Sequence, residues 1–88
     1  MLAGNLLLQC KQRMLGILDN YTIEVREQQL VSDIQLQNPS LKPDDARQSL
    51  TELEGDGLAK HHFDRLTGHR WQVTPEGHKA AAALELEA

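Results

Sequence analysis

Aromatic side chains are scarce, with one Trp, one Tyr and one Phe in 88 residues. The core must therefore be built mainly from Leu, Ile, Val, Ala and Met, and so small a core gains from burying further surface against a second copy. A homodimer is the expectation. Cysteine occurs once, at Cys10, so no internal disulfide can form and nothing points to an oxidising compartment; a cytoplasmic setting is expected. No apolar run approaches membrane-spanning length, and the N-terminus lacks a basic region followed by an unbroken apolar core. These absences argue against a transmembrane helix, a signal peptide and a membrane partner. Basic residues are also in the minority, with 9 Lys and Arg against 13 Asp and Glu and a formal net charge of -4. That balance opposes strong nonspecific attraction to nucleic acid, most of which comes from neutralising phosphates.

Catalytic and metal chemistry find little to stand on. The chain has no paired-cysteine motif and no His-Glu-x-x-His spacing. Of the histidines, His61 and His62 are adjacent in an extended segment and so point to opposite faces, while a pair such as His61 and His69 would need further ligands. No metal and no cofactor are expected. Cys10 lies on an apolar helical stripe, where a cysteine acts as a small hydrophobe, and Gly55-Asp56-Gly57 lacks the Lys-Ser or Lys-Thr that would follow in a phosphate loop. An enzyme is not expected.

Apolar periodicity organises the rest into one domain over 1–88. From Leu2 to Leu18, the residues Leu7, Cys10, Met14, Ile17 and Leu18 recur at helical spacing, with Leu6, Leu8 and Leu15 widening the stripe, so a first helix is expected over 1–19. Within 21–58, Tyr21 to Val25 alternates as a short strand with Tyr21, Ile23 and Val25 on one side. Leu30, Val31 and Ile34 mark a second helix within Glu27 to Gln37, ending before Asn38-Pro39. A third helix opens near Pro43 with Asp44 and Asp45 at the positive end of its dipole, and buries Ala46, Leu50 and Leu53. Its cap is either Ser40, from an earlier start, or a weak one at Lys42. Gly55 and Gly57 supply the freedom to leave this helix. A hairpin follows over 58–74, with Asp64 to Gly68 as its polar loop and with Trp71 and Val73 sharing a face. Thr74-Pro75-Glu76 then reads as N-cap, first-turn proline and first-turn acid of a helix over 75–86, in which Ala80, Ala83, Leu84 and Leu86 could pack on the first helix.

Helix, glycine stop, hairpin and new helix start, in that order, make a winged helix. Leu53-Glu54-Gly55-Asp56-Gly57-Leu58 resembles the L-E-x-x-G-L signature that closes the third helix of many winged helix-turn-helix proteins. Val73-Thr74-Pro75-Glu76-Gly77 is similar to the companion L-T-P-E-G signature after the wing. The local pattern resembles regulators of the PadR, MarR and ArsR kind without selecting one of them, and the upstream order of elements extends the likeness to about Tyr21. The expected fold class is α+β, mostly α: a winged helix-turn-helix with a small antiparallel wing sheet and a C-terminal helix.

The resemblance implies a transcriptional regulator that binds duplex DNA, with the third helix in the major groove and the wing on the backbone. Donors are needed there, because phosphate oxygens and most base edges accept. On the third helix these are Arg47, Gln48 and Thr51, with Ser49 on a flank; in the wing they are Lys60, Arg65 and Arg70. Charge is segregated, however. The wing is locally basic, whereas the third helix carries Asp44, Asp45, Glu52, Glu54 and Asp56 around one arginine. The alternative is therefore a winged-helix protein-protein interaction module whose acidic third helix meets a basic partner and does not bind DNA.

Overall fold

The computed structural model describes residues 4–87, with side chains described through residue 84. Its element order is α1 (Gly4–Asp19), β1 (Val25–Arg26), α2 (Glu27–Gln37), α3 (Pro43–Gly55), β2 (Ala59–Asp64), β3 (Gly68–Val73) and α4 (Pro75–Glu87). The three strands form one antiparallel sheet in the order β1-β3-β2. This is a winged helix-turn-helix, α+β and mostly α, with a C-terminal helix.

On α1, Cys10, Met14, Leu15, Ile17 and Leu18 are buried, whereas Leu6 and Leu8 are 55% and 53% exposed. The buried stripe is thus narrower than the apolar pattern, and Leu2 lies outside the described residues. The Tyr21 hydroxyl donates to the Asp33 carboxylate, tying the connection after α1 to α2. That bond, burial and the negative charge of Asp33 together raise the Tyr21 pKa.

The first strand is shorter and later than the alternation predicts. Only Val25 and Arg26 pair, opposite Trp71 and Arg70, while Ile23 is 71% exposed. Alternation alone does not make a strand when no neighbouring strand extends alongside to accept its hydrogen bonds. Glu27 immediately starts α2, which buries Leu30, Val31 and Ile34.

Pro43 occupies the first turn of α3, and the N-cap Lys42 makes no side-chain cap hydrogen bond. Ser40 Oγ instead donates to Asn38 Oδ1 at 2.8 Å. The weak-cap alternative holds, and Asp44 and Asp45 oppose the positive end of the dipole in its place. Ser49 belongs inside: it is fully buried beside Ala46, Leu50 and Leu53, and its hydroxyl donates to the Ala46 carbonyl at 2.7 Å. It is therefore not a surface donor on the helix flank.

The end of α3 fixes the wing. Gly57 N–H bonds to the Glu54 carbonyl at 3.0 Å and Leu58 N–H to the Leu53 carbonyl at 2.9 Å, the paired bonds of a Schellman stop. Gly57 has a φ of 77°, the left-handed conformation this stop requires. Gly55 remains inside α3 and has no such role. Leu58 thereby returns to the core, and the sheet packs Ala59, Trp71 and Val25 inward.

At the other end of the hairpin, Thr74 joins three elements. Its Oγ1 accepts from Gly77 N–H at 3.0 Å and donates to the Gly57 carbonyl at 2.7 Å, while its N–H donates to the Leu58 carbonyl at 3.1 Å. The expected N-cap is thus also a clamp on the α3 stop. On α4 the buried alanine is Ala81, with Ala80 and Leu84 packed against the core, and Ala83 is exposed. The Leu86 side chain lies outside the described residues.

Candidate nucleic-acid interface

Helix α3 turns Asp44, Arg47, Thr51, Glu52 and Glu54 to solvent and half-buries Asp45 and Gln48. Arg47 is already engaged. Its Nε lies 3.3 Å from Glu27 Oε2 and its Nη1 lies 3.0 Å from Asp44 Oδ1. The other Glu27 oxygen, Oε1, accepts from Trp71 Nε1 at 3.1 Å. One carboxylate at the start of α2 therefore couples the surface of α3 to the central strand of the wing. Thr51 donates back to the Arg47 carbonyl at 3.0 Å. Of the three expected donors on α3, only Gln48 has no side-chain hydrogen bond among the described residues.

The sheet has two chemically different faces, because directly paired residues lie on the same side. One face carries Ala59 opposite Val73, His61 opposite Trp71 and Phe63 opposite His69. It is core at its base and exposed toward the hairpin tip, where Phe63 is 58% exposed. There the imidazoles of His61 and His69 stack with ring centroids 4.7 Å apart, and His61 lies 4.6 Å from the Trp71 ring. His78 is elsewhere, with Nδ1 2.7 Å from Asp19 Oδ1, and His62 is on the other face of the sheet, so only His61 and His69 come together. Among the described residues no group of three or more His, Cys, Asp or Glu could hold a metal ion.

The opposite face carries Lys60 opposite Gln72, His62 opposite Arg70, and Arg70 opposite Arg26. Arg26, Arg70 and His62 thus form one row across all three strands, with Lys60 beside it. Arg70 Nε donates to Thr67 Oγ1 at 3.0 Å, and Arg65 is exposed in the turn. Among the described residues, no ion pair engages Arg26, Lys60, Arg65 or Arg70. Glu24, which shares a surface depression with Lys60, His62 and Gln72, is the acid at the base of this face. Lys60, Arg65 and Arg70 were accessible to sequence reasoning and Arg26 was not, because its place in the row depends on the strand beginning at Val25.

At the hairpin tip, Asp64 Oδ1 accepts from the N–H groups of Leu66 at 2.7 Å and Thr67 at 3.1 Å, and Gly68 closes the turn with a φ of 80°. These two backbone donors, and then the charges of Arg70 and His62, hold the Asp64 carboxyl below its ordinary pKa. A lowered native value stabilises the turn in full above the ordinary carboxylate range, and this contribution is lost as pH falls through the native value. Amide resonances of Leu66 and Thr67 should shift together on acid titration, with a midpoint below that of an unstructured aspartate. A midpoint at or above it would show that the carboxylate does not organise the turn.

Neither a family model nor a curated protein matches the sequence. Solved structures do resemble it. A double mutant of Lactococcus lactis ZitR superposes with a TM-score of 0.70 at 12% identity, covering 89% of this chain and 50% of that one. The same double mutant in apo form gives 0.73 at 13% identity, covering 94% of this chain and 59% of that one. A transcriptional regulator from Clostridium thermocellum, Cth-833, gives 0.74 at 15% identity, covering 99% and 87%. The present chain thus spans between half and three-fifths of the ZitR chains. At these identities the likeness is one of fold.

Proposed function

We propose that this chain is a DNA-binding transcriptional regulator of winged-helix type, with α3 in the major groove and the wing on the backbone. The carrying observation is the set of cations on and beside the outer face of the wing, Arg26, Lys60, Arg65 and Arg70, which no ion pair engages among the described residues. Unpaired guanidinium and ammonium groups spaced across a sheet suit a phosphate backbone. In this reading Gln48 and Thr51 on α3 meet base edges, and Arg47 joins them by exchanging a carboxylate for a base. The similarity to a transcriptional regulator supports the reading at the level of fold. The proposal includes a homodimer, since a core this small gains from burying further surface against a second copy.

Titration of duplex DNA at several salt concentrations, with sedimentation equilibrium on the same samples, tests it. Four phosphate contacts per chain predict a slope of log K against log salt of roughly -3.6 for a single bound chain, about a hundredfold weaker binding between 50 and 200 mM salt, and roughly -7.2 for a dimer with both chains engaged, about ten-thousandfold weaker. No detectable binding at low salt would reject the proposal, and a monomer at all concentrations would reject its dimeric part.

A second reading rests on a different observation. Arg47 is held by Glu27 and Asp44, which leaves Glu52 and Glu54 exposed on α3 with no ion-pair partner among the described residues. That surface suits a basic protein. Binding of polylysine in place of duplex DNA would favour it.

A further inference from the structure

We propose that the facing imidazoles of His61 and His69 form a two-nitrogen chelate for a tetragonal divalent ion, copper(II), near the tip of the wing. The site is independent of duplex binding, since the pair lies on the opposite face of the sheet from Arg26, Lys60 and Arg70.

Strand register places the two ligands. His61 on β2 is opposite Trp71, and His69 on β3 is opposite Phe63, so the two histidines are diagonal neighbours on one face, within reach of each other's rings. His61 Nε2 lies 2.5 Å from His69 Nδ1, whereas the ring centroids are 4.7 Å apart and the planes are inclined by 20°. The nitrogen-bearing edges of the two rings therefore face each other. In a neutral pair, one of these nitrogens donates its proton and the other accepts it. A metal ion can take the place of that proton: the donor ring shifts its proton to its other nitrogen, and both facing lone pairs become ligands.

Geometry selects the ion. Two metal–nitrogen bonds of about 2.0 Å meeting at a tetragonal right angle put their nitrogens about 2.8 Å apart, while a tetrahedral angle needs about 3.3 Å. The tetragonal spacing requires the pair to open by only a few tenths of an ångström, through the soft χ2 torsions. His69 is exposed and His61 rests against the Trp71 ring at a centroid distance of 4.6 Å, so His69 makes the adjustment. Copper(II) also heads the affinity order of first-row divalent ions at nitrogen ligands. Phe63 and Trp71 flank the pair with rings that offer no competing ligand. No third His, Cys, Asp or Glu joins the pair among the described residues, so water fills the remaining positions. The ion is accordingly exchangeable, unlike the closed four-ligand sites of structural zinc. Bound across β2 and β3, it clips the hairpin near its tip and stabilises the fold by linkage.

Trp71 supplies the readout, being the single tryptophan and lying against His61, where a paramagnetic ion quenches its emission. Copper(II) is titrated into the metal-free chain in a non-chelating buffer at neutral pH, with the parent, His69→Ala and His78→Ala compared and circular dichroism confirming that each folds. The parent should show saturable quenching at one ion per chain, reversed by EDTA, with half-saturation on the order of 10 μM. His69→Ala should bind at least about tenfold more weakly. His78→Ala should match the parent, because His78 lies against Asp19 and away from the pair. Copper should raise the melting temperature of the parent and leave that of His69→Ala unchanged. Zinc should displace copper only in more than about tenfold excess. Quenching that never saturates, or that survives His69→Ala intact, overturns the site. Displacement by an equal concentration of zinc overturns the tetragonal assignment. None of these outcomes bears on whether duplex is bound.

Discussion

Gly77→Ala is expected to lower the midpoint of thermal unfolding by roughly 10–25 °C, equivalent to about 2–4 kcal/mol for a chain of this size. A Cβ at this position would stand 2.0 Å from the Leu58 carbonyl oxygen, 2.8 Å from Val73 Cγ2 and 3.0 Å from the Leu58 carbonyl carbon. The first two contacts lie well inside van der Waals separation, and the nearest obstacle is backbone. Nor is that backbone free to withdraw. The Leu58 carbonyl accepts from Thr74 N–H, and the Leu58 N–H is one of the two bonds of the α3 stop. Relief would therefore loosen the end of α3, the base of the hairpin or the start of α4.

Gly16→Ala provides the contrast. Gly16 lies within α1 and a Cβ there would meet nothing within 4 Å, so alanine should raise stability by about 0.5–1 kcal/mol. Thermal unfolding followed by circular dichroism measures both. A Gly77→Ala protein melting within a few degrees of the parent would show that the helix start can move as a body away from Leu58.

Trp71→Ala should cost about 3–5 kcal/mol, a large share of the stability of a domain this small. Trp71 is 3% exposed, lies on the central strand opposite both Val25 and His61, and donates to Glu27. Alanine would leave a cavity under the sheet and a Glu27 oxygen without its donor. Trp71→Phe keeps an aromatic ring under the sheet while removing the N–H together with part of the bicycle, and should cost less than alanine, about 1–2 kcal/mol. Urea unfolding of the three proteins checks this ordering. If the phenylalanine variant were as unstable as the alanine variant, the bond to Glu27 and the lost part of the bicycle would outweigh the packing of the remaining ring. The alanine variant should also release the wing from α3, because the Trp71–Glu27–Arg47 chain is a polar link between them.

Much of the architecture was legible because its signals are local. The periodicity of Leu30, Val31 and Ile34, the N-cap at Thr74 and the polar turn at Asp64 each act over a few residues, and each recurs in the structure. The glycines show where locality stops. Gly55 and Gly57 look equivalent in sequence, yet only Gly57 takes a positive φ, because the two bonds of the stop converge on it and its successor. Gly77 reads as part of a motif, but its requirement arises from the Leu58 carbonyl, which is brought against it only when the hairpin closes. The strand expected from Tyr21 to Val25 contracted to Val25–Arg26 because a strand is defined by the neighbour that pairs with it.

The candidate interface divides in the same way. By itself the sequence determined the winged-helix order of elements, the basic character of the hairpin and the acidic character of the third helix, all of which follow from composition and short-range spacing. Tertiary structure alone decided which of those charges stay unpaired. Arg47 meets a carboxylate 20 residues away, and the same carboxylate bonds a tryptophan 44 residues away. Arg26 joins Arg70 and His62 only through strand register. Electrostatic pairing depends on distance in space, and only the closed sheet brings those residues together.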